Sequence, residues 1–351
     1  MTSIQITRFG GPEVLRPVEL PSPPITPDGV RIAVKAAGII FADVQMRMGL
    51  YPEAPRPPFV PGFEVAGVVT EVGPKAGSFR VGDRVLGVSV FGGYTTEIVL
   101  PVAQVRATPA HLNDAEAAAI PVSFLTAWIA LVDMARVRPG DRVLVPGAAG
   151  GVGTALVQIA ARAGASVIGL VGSPAKREAV LSLGAREVFT YEEWTGRGGT
   201  GGSSPLGRRT RTATAIREFD VIVDPRGGRA LRDSLRRLAE GGRVVSCGVS
   251  DIVRGPRRSV IRTLATLLRT PILNPIGLGM RNQGVFGLNV LRLLDTESGM
   301  RIAARAMDAV LEVFMQRGFR VIVGGKWPLA QAGDAHAFLQ GRTGVGKVVL
   351  V

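Results

Sequence analysis

The chain has 351 residues, enough for two domains that each bury a core of their own. Its single cysteine excludes a disulfide framework and a cysteine-rich zinc site, and no uninterrupted apolar segment approaches the length of a transmembrane helix, so neither a spanning segment nor a membrane partner is expected. A formal charge of +14, carried largely by arginine, suits an acidic partner or an anionic substrate; with few aromatics and no nucleic-acid motif, DNA or RNA binding is not expected.

In chain order, MTSIQITRF opens as a strand and lacks the basic region and apolar run of a secretion signal, which predicts a cytoplasmic protein. From Ile4 to Leu100 short strands are punctuated by Gly and Pro: IQITRF, GVRIAVKAAGI, GFEVAGVVTEVG, GDRVLGVSVFG and GYTTEIVLP. That spacing predicts a mostly β domain. From Asp114 to Ala135 the pattern turns helical, with Asn113 or Asp114 able to cap an alanine-rich run.

Val143 to Lys176 then reads as strand, glycine turn, helix and second strand without a break. Gly147, Gly150 and Gly153 follow the apolar run Val143 to Val145, and Leu156, Val157, Ile159 and Ala160 make a helical stripe. In this setting one glycine makes the tight turn, one lets the backbone approach a pyrophosphate, and one lets helix pack on strand. The phosphates would meet the free N–H groups of the helix N-terminus. After the second strand, Ser166 to Val171, an NAD site places Asp or Glu; here stand Gly172, Ser173, Pro174, Lys176 and Arg177. A hydroxyl and cations without a carboxylate predict NADPH over NADH, although Lys176 and Arg177 also suit a solvated helix face.

Helix and strand go on alternating through REAVLSLGA, EVFTY, FDVIVDPRGG and LRDSLRRLAEGGRVVSCGVS, to a last strand in GVFGLN, which predicts a parallel sheet with helices on both faces. Cys247 reads as a small buried hydrophobe. Gly196 to Thr214 reads as a surface loop or a basic docking patch. Arg254 to Arg281 is basic, and Val260, Leu264, Leu267 and Leu268 predict a partly buried helix lining a substrate entrance. An amphipathic helix spans Ser298 to Arg317, and GKVVLV ends the chain as a strand.

AAGIIFADVQMRMGLY, PGFEVAGVVTEVG, GDRV, GAAGGVGTALVQIA, LGA followed by Tyr191, DPRGG and WPLAQAGDAHAFLQGRTGVGKVVLV together resemble the medium-chain dehydrogenase/reductases. The resemblance covers nearly the whole chain and is to the zinc-free quinone oxidoreductase branch that includes zeta-crystallin and the vesicle amine transport protein homologues. It implies an α/β chain with a GroES-like β domain plus a Rossmann doubly wound parallel-sheet domain: a GroES-like substrate domain from 1–122 and 293–351, a Rossmann NADPH-binding domain from 123–292, and a cleft where they meet. It implies a homodimer joined through the edge strands of the cofactor domains. NADPH would contact Gly147, the turn of Gly150, Gly151, Val152 and Gly153, then Ser173, Lys176, Tyr191, Gly248, the backbone of Phe286, Gly287 and Asn289, and Lys347.

Metal-dependent relatives carry a cysteine in the AAGI region and a His-Glu pair after PG, whereas here Phe63 precedes Glu64 and no cysteine is nearby. His111 and His336 have no second ligand in view, so no metal is expected. Quinone reductases of this branch commonly place an asparagine two residues after the AAG glycine; this chain has Ile40. Asp43, Gln45 and Tyr51 remain as polar groups, with Tyr51 able to donate to a carbonyl oxygen and Asp43 able either to act there or to cap the helix DVQMRMGL. The expected activity is NADPH-dependent transfer of a hydride to a quinone or an α,β-unsaturated carbonyl. Two alternatives stand beside it: an enoyl reductase of secondary metabolism whose substrate rides on an acidic acyl carrier protein, and a non-redox enzyme or binder that keeps the dinucleotide fold.

Overall fold

The structure is a computed structural model that describes residues 1–77, 79–195, 218–253, 255 and 259–351. The expected Gly196 to Thr214 loop lies outside the described residues. The chain forms two units, one of residues 1–126, 252–263 and 289–351, the other of 127–251 and 264–288.

The first unit begins with strands β1 (Thr2–Ile6), β2 (Leu15–Glu19) and β3 (Gly29–Ile39), helix α1 (Phe41–Arg47), and strands β4 (Glu64–Val72), β5 (Arg84–Val88), β6 (Glu97–Pro101) and β7 (Val105–Ala107). β2 and β7 escape a reading that looks for long apolar alternation, because they are short and only the first residue of each, Leu15 and Val105, is buried. Helix α2 (Asp114–Ala118) is capped by Asn113, whose side chain accepts from the Glu116 amide at 3.0 Å while the Glu116 carboxylate accepts from the Asn113 amide at 2.9 Å. Helix α3 (Pro121–Trp128) follows and passes into a π-helical turn, Ile129–Met134.

The second unit carries β8 (Arg142–Pro146), α4 (Gly151–Arg162), β9 (Ser166–Val171), α5 (Arg177–Leu181), β10 (Glu187–Thr190), α6 (Tyr191–Thr195), β11 (Phe219–Asp224), α7 (Gly228–Leu235) and β12 (Leu238–Ser246). After α8 (Val260–Arg269) and α9 (Pro275–Gly279) comes β13 (Gly284–Gly287). The six strands are all parallel, in the order β10-β9-β8-β11-β12-β13. Strand order reverses between β8 and β11, and ligands of such sheets bind beyond the strand C-termini at that point. Leu144, Ile168, Ile222 and Val244 place the four central strands in one core with Trp194, Phe219, Leu231 and Leu238.

The partly buried helix expected over Val260 to Leu268 forms, but it buries a different face from the leucine face expected. Leu264 and Leu267 are each 56% exposed and Leu268 is 75% exposed. Its polar side turns inward: Thr266 packs on the close-approach glycine Gly228, so the leucines face out.

The chain closes with α10 (Val290–Leu293), α11 (Glu297–Met315), β14 (Val323–Trp327), α12 (Ala332–Gly341) and β15 (Lys347–Leu350). β15 pairs antiparallel with β3, bringing Val348 opposite Ile39, and completes the seven-stranded sheet β14-β15-β3-β4-β5-β7, with β6 on β3. The C-terminal tail is therefore part of the N-terminal unit's core, where Val348 and Leu350 join Val30, Ile32 and Val65.

Candidate functional site

In the second unit the site is built on the turn between β8 and α4. Gly147 adopts φ +73°, a left-handed conformation that glycine reaches without strain. A Cβ on Gly153 would stand 2.1 Å from the Gly147 carbonyl oxygen, so no side chain fits there. A Cβ on Gly150 would meet the same oxygen at 3.4 Å. This first turn of α4 leaves the amides of Gly151, Val152 and Gly153 without intrahelical acceptors, at the positive end of the helix dipole. An anion is the natural occupant of such a turn.

Beyond β9 the residues Gly172 to Arg177 include no carboxylate: nothing lies within 4 Å of a Cβ built on Gly172, and half-buried Ser173 and buried Lys176 follow. Arg177 is different, since both its close contacts at 2.9 Å are to the Glu193 carboxylate on the surface, as a solvated helix face would have it. Tyr191 opens α6, and its hydroxyl is hydrogen-bonded to the Gly147 backbone; burial raises its pKa, which keeps it a neutral phenol.

Arg226 is the residue sequence reading missed. Its guanidinium lies 4.6 Å from the centre of the Tyr191 ring and pairs with both oxygens of Asp251 at 3.2 and 2.9 Å. Asp224 fixes this loop, accepting from the amides of Arg226 at 2.6 Å and Gly227 at 2.9 Å and from Ser234 at 3.0 Å. The DPRGG segment carried the signal as a motif, but only the fold shows that its arginine reaches Tyr191. A Cβ on Gly248 would lie 2.9 Å from the Pro225 carbonyl, so this position also needs glycine. Phe286 and Gly287, on β13, are exposed. Cys247 is half-buried, donates to the Asp224 carbonyl at 3.7 Å, and has its thiol pushed up to about 12 by burial.

In the first unit Tyr51 and Asn289, 238 positions apart, meet: the Tyr51 hydroxyl donates to Asn289 Oδ1 at 3.4 Å. The same oxygen caps α10 through the Arg292 amide. Desolvation raises the Tyr51 pKa, so its proton stays available for donation. Ile40 is half-buried at the start of α1. Asp43 sits one turn inside that helix, fully buried, and accepts from the amides of Ile40 at 2.8 Å and Gly62 at 3.2 Å. Its carboxyl also bonds Tyr94, and burial lifts its pKa to about 7. Tyr94 in turn bonds His336 Nε2 at 3.0 Å, and His336 is wholly buried while His111 is exposed. Gln45 is buried beside them in sequence. Lys347 is buried too, and its ammonium is ion-paired with the fully buried carboxylate of Glu64, whose other oxygen accepts from the Val122 amide at 2.7 Å. Among the described residues no group of three or more His, Cys, Asp or Glu is placed to hold a metal ion.

Comparison with known proteins places the family. Residues 26–110 match the alcohol dehydrogenase GroES-like domain and residues 151–272 the zinc-binding dehydrogenase family. Mouse quinone oxidoreductase is 31% identical over 359 residues, covering 100% of this chain and 98% of its own. The chain belongs to the zinc-free quinone oxidoreductases of the medium-chain dehydrogenase/reductase superfamily. This oxidoreductase is also 31% identical to the rat synaptic vesicle membrane protein VAT-1 homolog, over 99% of this chain and 83% of that protein. The quinone oxidoreductase from Thermus thermophilus, solved alone and in complex with NADPH, superposes with a TM-score of 0.79 at 34% identity, covering 100% of this chain and 99% of that one.

Proposed function

We propose that this oxidoreductase reduces quinones and α,β-unsaturated carbonyl compounds with NADPH. The reading rests on the segment after β9, Gly172 to Arg177, which supplies the open Gly172, the Ser173 hydroxyl and the Lys176 ammonium and has no Asp or Glu at the position that would claim a ribose 2′-hydroxyl. Ser173, Lys176 and Tyr191 hold the 2′-phosphate, and the amides of Gly151, Val152 and Gly153 hold the pyrophosphate over the turn made by Gly147 and Gly150. Gly248, Phe286 and Gly287 line the backbone beyond the next strands. Arg226, stacked on Tyr191, keeps that ring in place over the turn. The NADPH complex of the Thermus thermophilus relative supports this choice of cofactor.

When bound, NADPH supplies the hydride from its nicotinamide ring. Tyr51, whose hydroxyl rests on Asn289 Oδ1 at 3.4 Å, would turn its single proton from that oxygen to the substrate carbonyl oxygen as negative charge develops there. Ile40 presents a hydrocarbon surface where relatives have an amide, which favours apolar substrates and excludes water. Asp43 is a positioning residue, tying Ile40 to the Gly62 loop through two backbone amides. Lys347 serves the Glu64 carboxylate.

A second copy would add its own β13 to the open edge of the six-stranded sheet. No helix of the described residues is long and apolar enough to cross a membrane, in keeping with a cytoplasmic enzyme.

The test is consumption of NADPH, followed at the nicotinamide absorbance against a panel of quinones and enones, beside titrations with NADPH and NADH. Oxidation of NADPH in preference to NADH is expected. Tight NADPH binding with no consumption across the panel would transfer the site to a non-redox role, and failure to bind either nucleotide would remove the reading altogether.

A further inference from the structure

Two loops of the second unit are laced together beyond the ends of β11 and β12. The Cys247 amide donates to the Asp224 carbonyl at 2.9 Å, the Ser250 amide to the Pro225 carbonyl at 3.0 Å, and the Asp251 amide to the Arg226 carbonyl at 3.2 Å. Glycines make this approach possible: a Cβ on Gly227, which adopts φ +68°, would lie 2.8 Å from Val249, and one on Gly248 would lie 2.9 Å from the Pro225 carbonyl. The lacing delivers the Asp251 carboxylate to Arg226. The two residues are thus joined twice, once through the backbone and once through Nε and Nη2 of the guanidinium, each on its own carboxylate oxygen.

The far side of this clasp is Tyr191. Its ring packs against the core of the six-stranded sheet, and its hydroxyl is bonded to the Gly147 backbone. Arg226 covers the ring at 4.6 Å from its centre. A guanidinium stays over a ring only while its position and plane are held; a single hydrogen bond lets it turn, whereas a two-point fork does not. The Arg226 side chain is 23% exposed and that of Asp251 10%. Deprived of its carboxylate, a cation so enclosed would use its long stem to swing toward water and leave the ring.

We infer that Asp251 is a positioning residue for nucleotide choice: through Arg226 it holds Tyr191 where the phenol meets the 2′-phosphate. This rests on the assignment of Tyr191 to that phosphate made above. NADH has no such phosphate, so the succession from Asp251 through Arg226 to Tyr191 acts on NADPH alone. A carboxylate near a phosphate would by itself oppose binding, but the charge of Asp251 is already matched by the forked guanidinium, and the orientation it imposes is the larger effect.

Fluorescence titrations of the full chain with NADPH and with NADH test this, on the parent, Asp251→Asn, Asp251→Glu, Arg226→Lys and the double variant Asp251→Asn, Arg226→Lys. Asp251→Asn is expected to weaken NADPH binding by about five-fold and to leave NADH binding unchanged, which also shows that the site is folded. Asp251→Glu keeps the fork and should recover most of the loss. The double variant should lose no more than Asp251→Asn alone, since both changes act through one stack. Equal weakening of the two nucleotides would make Asp251 a residue of the fold alone. Tighter NADPH binding would make it a screening charge, and losses that add in the double variant would separate it from Arg226; each of these overturns the assignment. A parent that binds NADPH no better than NADH would overturn the choice of cofactor itself, and with it this inference, before any variant is made.

Discussion

Each unit contains a tyrosine, carboxylates and a cation gathered near a glycine-rich segment, and the two clusters are built for different ends. In the first unit Asp43, Tyr94, His336, Glu64 and Lys347 are all shut away from solvent, and each finds a partner inside the unit. In the second, Arg226 stays partly exposed over Tyr191, only the Tyr191 hydroxyl comes within 4 Å of a Cβ built on Gly147, and nothing comes within 4 Å of one built on Gly172. Burial of charge is tolerated in the first case because Asp43 is hydrogen-bonded and Glu64 and Lys347 are paired, and it fixes a fold. Backbone amides at an open helix end, with a cation nearby, are a means of holding something that arrives from outside. Polar chemistry near a signature motif is thus not a guide to function until its exposure is known.

If this distinction holds, changes in the closed cluster move stability and changes in the open one move affinity. The largest effect is expected from Glu64→Ala, which leaves the Lys347 ammonium buried and unpaired; urea unfolding should show a loss of about 3–5 kcal/mol. A loss below about 1 kcal/mol would mean that the pair is not sealed. Next comes Asp43. Its folded pKa of about 7 lies above the ordinary 3.8, so the folded state holds the proton more tightly, and the stability this gives is complete below about pH 4 and lost as pH rises through 7. Asp43→Asn should remove that slope, narrowing the difference in unfolding free energy between pH 5 and pH 8 by about 1–3 kcal/mol relative to the parent.

In the open cluster, Lys176→Ala should reduce the preference for NADPH over NADH by about ten-fold in paired titrations, with little change in melting temperature. An unchanged preference would assign the 2′-phosphate to other groups. The smallest effect is expected from Arg226→Lys, which keeps a cation for Asp251 but loses the flat stack on Tyr191; NADPH affinity should fall by about three-fold.

Much of this was legible in the sequence for physical reasons that can be stated. The strand-turn-helix of Val143 to Ala160 is set by local rules, since a left-handed Gly147 and a Gly153 without room for a Cβ are demands of neighbours only a few residues away. The return of the C-terminal tail to β3 is a long-range pairing that resemblance supplied and periodicity did not. Side-chain partners were beyond reach: nothing local says that Tyr51 meets Asn289, or that Arg226 covers Tyr191, because each pair is joined only by the fold. For Asp43 the sequence left catalysis and capping open, and the structure shows a bond to the Ile40 amide together with one to Gly62 that no spacing rule contains. The leucines of α8 misled because helical periodicity finds an apolar face without saying which way it points.

Cys247 gives the enzyme a form of chemical durability. Quinones and enones are Michael acceptors, and a protein thiolate is among their readiest targets. On the proposed reading these are its substrates, and a reductase that handles them risks being alkylated by them. With one thiol in the sequence, held on the Asp224 carbonyl and with its pKa pushed up to about 12, almost no thiolate exists at neutral pH. A catalyst so made should keep its activity through prolonged exposure to an excess of electrophile that would inactivate a cysteine-rich one.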